Sequence, residues 1–84
     1  MNASVKLKFT HYFLATRHRL DRVGIREEWI EQVFFRPESE FLQEDGRVRR
    51  WARIADAENR YLRVVVLPDG ETIHNAFFDR SFKP

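Results

Sequence analysis

Apolar and polar residues alternate at the start of the chain, in SVKLKF, where Val5, Leu7 and Phe9 share one side. A period of two predicts a half-buried strand. Thr10 follows, and its hydroxyl can accept a free backbone N–H, which predicts a helix cap. The stretch HYFLATRHRLDRVG then sets Phe13, Leu20 and Val23 near one side, with Thr16 or Arg17 between them. That spacing predicts a helix stopped by Gly24, the residue best suited to a left-handed cap. IREEWIEQVFFRP gives a second helix more sharply, because Trp29, Ile30, Val33 and Phe34 fall on one stripe. Glu27 and Glu28 occupy its first turn, where the helix dipole favours acid, and Pro37 ends it. The position of Trp29 on the stripe marks it as core packing rather than a ligand platform.

From Ser39 onward the period changes to two. Asp-Gly steps at 45–46 and 69–70 separate extended runs, and ADAEN makes a softer turn between two others. Asp-Gly between such runs is a strong hairpin signal. The pattern predicts a four-strand meander over 39–43, 47–55, 60–67 and 71–79. Helices near the start and strands after them imply a segregated α+β domain over 1–84. Its order is β-α-α-β-β-β-β, with the first strand joining an antiparallel sheet and two helices packed on one face.

Alternation also assigns side chains to faces. Val48, Ala52 and Ile54 share a row with Arg50, and Leu62, Val64 and Val66 form another; these belong under the helices. The open face then gathers Arg49, Trp51, Arg53, Tyr61 and Arg63. In the last strand Ile73, Asn75, Phe77 and Asp79 alternate with Thr72, His74, Ala76 and Phe78. Two large apolar groups in the first row favour Ile73 and Phe77 toward the core, which puts His74 on the open face. Phe78 then lies beside the basic surface unless the C-terminal tail covers it.

Composition narrows the reading. Of 84 residues, 43% are hydrophobic and 14% aromatic, enough for a small core without covalent staples. The chain has no cysteine, which excludes disulfides and thiolate metal sites. MNASVKLKFTHYF has no long apolar run, so neither a signal peptide nor a membrane span is expected, and the expected location is the cytoplasm. His11 and His18 lie on one helical stretch with no carboxylate pair to complete a ligand set, so neither metal nor cofactor is expected. The net charge of +2 is uneven: residues 47–84 carry eight basic side chains against five acidic, and the bases are nearly all Arg.

Guanidinium groups grip phosphate, and aromatic rings stack on unpaired bases. An open face of Arg49, Trp51, Arg53, Tyr61 and Arg63 therefore suits nucleic acid. The same pattern also arises when Arg stems simply lie over rings on neighbouring strands. For RNA cleavage, His74 has the acid–base range for either proton role. Arg63, Arg53 and Arg80 can stabilise phosphorane charge. Asp79 can orient a partner, or Asp79 and Arg80 can tie the C-terminus to the sheet. A face of this charge also suits an acidic protein segment. These readings stand side by side at this point.

RYLRVVVLPDGETIHNAFFDRSFK, preceded by GIREEWIEQVFFRPE, resembles a bacterial family of small uncharacterised domains related to the RelE/ParE toxin superfamily. The residues that carry the resemblance are Ile25, Trp29, Ile30, Pro37, Glu38, Leu62–Val65 and Phe77–Arg80. It implies a strand, two helices and an antiparallel sheet. It further implies a toxin–antitoxin role, with RNA or the ribosome as target, metal-independent endoribonuclease chemistry and an antitoxin protein as partner.

Overall fold

The computed structural model describes residues 7–19 and 22–84. The expectations placed on Val5 and Leu20 lie outside the described residues. The elements are β1 (Lys8–Phe9), α1 (His11–Thr16), α2 (Glu27–Phe35), β2 (Ser39–Leu42), β3 (Val48–Ile54), β4 (Arg60–Val66) and β5 (Thr72–Phe78), with a 3-10 turn at Ala55–Ala57 before β4. The domain is α+β, with a five-stranded sheet in the order β1-β5-β4-β3-β2.

The sheet is mixed, not antiparallel throughout. β2 to β5 form the expected meander, each strand antiparallel to the next. β1 runs parallel to β5, with Lys8 opposite Thr72 and Phe9 opposite Ile73. Only strands joined by a tight turn are forced antiparallel. The β1–β5 pair is joined through both helices and the whole meander, so hairpin signals are silent about its direction.

The first helix is shorter than its spacing suggested. Thr10 caps it as expected, its hydroxyl accepting from the Phe13 N–H at 3.0 Å. The helix ends at Thr16, whose own hydroxyl bonds back to the Phe13 carbonyl at 3.3 Å. Val23, expected on the buried stripe, is 60% exposed. Gly24 does take a left-handed φ of +94°, but it closes the turn leading to α2 rather than α1 itself. In α2, Ile30 and Val33 are buried while Trp29 and Phe34 pack against the core from the side.

Both helices cover the same side of the sheet. Phe13, Ile30 and Val33 form one cluster with Ala52, Ile54, Leu62, Val64 and Val66, as the alternation in β3 and β4 requires. Arg50 shares this side. Its guanidinium reaches out to Glu40 at 2.9 Å and donates to the Phe34 carbonyl at 2.9 Å.

β5 departs from simple alternation. Val65 pairs with Asn75 and Val66 with Ile73, so His74 is an extra residue opposite a single step of β4. Such a bulge shifts the phase of the strand by one. Ile73, Ala76 and Phe78 therefore join or pack against the core, while Asn75 and Phe77 sit opposite Val65 and Arg63 on the other face. The expected pairing of Ile73 with Phe77 toward the core is corrected accordingly. Phe78 lies under the helices, its ring 6.2 Å from that of Trp29. Among the described residues no helix is long and apolar enough to cross a membrane.

Candidate functional site

The side of the sheet away from the helices is built in cross-strand rows. Arg53 of β3 faces Tyr61 of β4, Trp51 faces Arg63, and Arg49 faces Val65. Continuing across β4, Arg63 faces Phe77 and Val65 faces Asn75. The five residues expected on this face are thus neighbours in register. They are not equally available.

The chain just after β5 folds onto the middle of the face. The Asp79 N–H donates to the Tyr61 carbonyl at 2.9 Å. Oδ2 of Asp79 accepts from Trp51 Nε1 at 3.0 Å and from Arg63 Nε and Nη2 at 3.1 and 2.9 Å. Its Oδ1 accepts from the Ser81 N–H at 3.1 Å and the Ser81 hydroxyl at 2.7 Å. Burial pulls the Asp79 carboxyl upward, but the donors from Trp51, Ser81 and Arg63, with the Arg63 charge, outweigh it and hold the group down at about 2. Phe82 then lies on Trp51, ring centroids 4.7 Å apart and planes 17° from parallel, and reaches Tyr61 at 5.0 Å.

Trp51 is therefore buried, at 8% exposure, rather than presented to solvent. Arg63 is committed to Asp79, and its guanidinium also lies over Phe77 at 4.7 Å. Asp79 does tie the C-terminal segment to the sheet, but to Arg63 and Trp51 instead of to its neighbour Arg80. Arg80 is exposed and borders a pocket of about 280 Å³ with Arg60, Tyr61, Phe78 and Phe82.

His74 stands apart from this cluster. Its Nδ1 is 3.2 Å from the Thr10 hydroxyl, and its ring stacks on Tyr12 at 4.8 Å. Burial, and then the Arg47 charge, hold it below the usual imidazole value and so favour its neutral form. Of the four residues expected to carry catalysis, only Arg63 and Asp79 touch, and they neutralise each other. His74 and Arg80 make no described contact with them or with each other.

Three guanidinium groups remain to act outward. Arg49 Nε donates to the neutral amide of Gln43 at 2.8 Å, and its guanidinium lies over Phe41. Arg47, immediately before β3 and in the same phase, has its nearest carboxylate, Asp45, at 3.7 Å. Arg53 is exposed; the Glu38 carboxylate accepts from its backbone N–H at 3.0 Å, and its guanidinium forms no ion pair among the described residues. Alternate residues of a strand lie about 7 Å apart, so Arg47 and Arg49 are neighbours in one row and Arg53 stands about 13 Å beyond Arg49, past Trp51.

Sequence reasoning overlooked Phe82, Thr10 and Tyr12. A signal for the first was present: Asp79 with Ser81 two positions on is the pattern of an Asx turn, which bends a chain back on itself. No signal marked Tyr12 as a partner of His74, because that contact depends on β1 lying beside β5. Among the described residues no three His, Cys, Asp or Glu side chains gather closely enough to hold a metal ion. No family model, curated protein or solved structure matches the chain.

Proposed function

We propose that this protein binds RNA through the guanidinium side of its sheet, acting as a RelE/ParE-like toxin-type domain that grips its target without cleaving it. The observation that carries this reading is the row formed by Arg47, at the entry to β3, and Arg49 and Arg53 on the strand: Arg49 donates to a neutral amide, the Arg53 guanidinium has no ion pair among the described residues, and Arg47 has only the exposed Asp45 at 3.7 Å. Such a row suits phosphates of a polyanion. Phe41, exposed and lying under the Arg49 guanidinium, adds a ring of the kind a surface for nucleic acid carries. Two helices packed on one side of a sheet, as the resemblance implies, are compatible with the same reading.

Cleavage is left out for a physical reason. Transfer through a 2′-hydroxyl needs a proton acceptor and a cation held around one phosphate. The four residues singled out for that chemistry are not gathered around one point: Arg63 and Asp79 are ion-paired with each other, and His74 stacks on Tyr12 away from them.

Fluorescence anisotropy with a labelled oligouridylate tests the proposal. Arg49→Ala and Arg53→Ala should each weaken binding severalfold at low salt, and the double variant more so. Arg26→Ala, which removes a cation beside α2 on the helix side, should leave affinity unchanged. Equal affinity for the double variant and the wild type would remove the proposal. A toxin-type role adds growth arrest on expression, relieved by the same double variant.

A further inference from the structure

The middle of the guanidinium side holds an aromatic ring where a nucleobase would fit. Phe82 lies nearly parallel on Trp51 and tilted by 53° against Tyr61. This is the contact that stacking proteins make with an unpaired base. We propose that the Trp51–Tyr61 slot is a stacking site for an unpaired base of single-stranded RNA, and that Phe82 is an internal cover which the base displaces. The inference rests on the RNA-binding reading and adds to it the form of the RNA and a regulated site.

The walls of the slot are fixed by bonds that do not involve the Phe82 ring. Trp51 is pinned through its Nε1 to Asp79, and Asp79 is pinned by Arg63 and by its own N–H to the Tyr61 carbonyl. The cover is held differently. Past Asp79 the tail adds no strand pairing. Ser81 bonds only back to Asp79, and the Phe82 N–H approaches the Asp79 carbonyl at a long 3.4 Å. What keeps Phe82 in place is ring burial, which is of the same order as the stacking of one base. Exchange of one flat group for the other is therefore close to balanced. Space for the displaced ring exists beside it, in the pocket of about 280 Å³ bordered by Arg60 and Arg80. Arg53 sits directly opposite Tyr61 in register, so a phosphate flanking the stacked base meets its exposed guanidinium.

A base-paired strand has no ring to offer, so the cover matters only for single strands. Anisotropy titrations with a short oligoadenylate and with an RNA duplex of equal length separate the two. Phe82→Ala should tighten the single strand by about fivefold or more, the low end of the range expected for uncovering one stacking position. The duplex affinity should not change. Adding Tyr61→Ala to Phe82→Ala should remove the gain. Should Phe82→Ala fail to fold by circular dichroism, Phe82→Leu keeps an apolar cover without the flat ring and should give a smaller gain in the same direction. Duplex binding that weakens with salt, together with no single-strand gain in either variant, overturns the slot and leaves the RNA reading intact. No binding of either RNA by wild type or variant at low salt overturns both.

Discussion

Asp79 accepts from Trp51, Arg63 and Ser81 while its side chain is only 6% exposed. Its carboxyl lies at about 2 when folded, against 3.8 for a free aspartate. An unfolded chain therefore binds more protons than the folded one between those values. The stability so gained is fully present above about pH 4 and is lost as pH falls toward 2, an effect of about 2 kcal/mol. Asp79→Asn should lower the urea midpoint at pH 7, and the variant and wild-type curves should converge near pH 2. A variant that keeps the full wild-type slope between pH 4 and pH 2 would place the linkage on another group. The sequence announced a tie at this position but not its partner. Arg80 is adjacent in the chain, whereas Arg63 becomes adjacent only through the β4–β5 register. A single sequence carries strand phase but not which rows meet, so the residues of the site were legible and their pairing was not.

At the scale of elements, the turns were the most legible features, because their chemistry is local. Both Asp-Gly steps close hairpins, with φ of +92° at Gly46 and +77° at Gly70. Any side chain at such φ values costs on the order of 1 kcal/mol. The two sites differ in surroundings. A Cβ at Gly46 would meet Pro68 Cγ at 3.2 Å, while one at Gly70 would meet nothing within 4 Å. Gly46→Ala should therefore destabilise more than Gly70→Ala, since a proline ring gives little ground. Chemical denaturation of the two variants checks the order; equal losses would mean that the hairpin at 45–46 shifts freely away from Pro68. β5 was the least legible strand. Alternation read without interruption puts Ile73 and Phe77 together, and the bulge at His74 separates them. Nothing local to His74 announces the bulge. It follows from docking β1 on one half of β5 while Ala76 and Phe78 still reach the core under the helices.

For the whole molecule, the sheet order places β4 at the centre, with Leu62, Val64 and Val66 fully buried, and leaves β1 as a two-residue edge. Stability in such a structure is graded rather than uniform. Amides that open only with the whole fold should be those of β4 and its neighbours in β3 and β5. β1 closes the sheet through few bonds, among them Thr10 N–H to the Ile73 carbonyl at 3.0 Å, and should open at lower cost. The tail past Asp79 should open at the lowest cost, because it pairs with no strand. Native-state hydrogen exchange measures this ranking directly. The expected result is slowest exchange at Val64 and Val66, faster exchange at Phe9, and fastest exchange at Ser81 and Phe82. That separation of scales lets a rigid row of guanidinium and aromatic groups coexist with a removable ring above it. If Phe82 were as protected as Val64, the tail would belong to the cooperative core, and the slot beneath it could open only by unfolding the sheet.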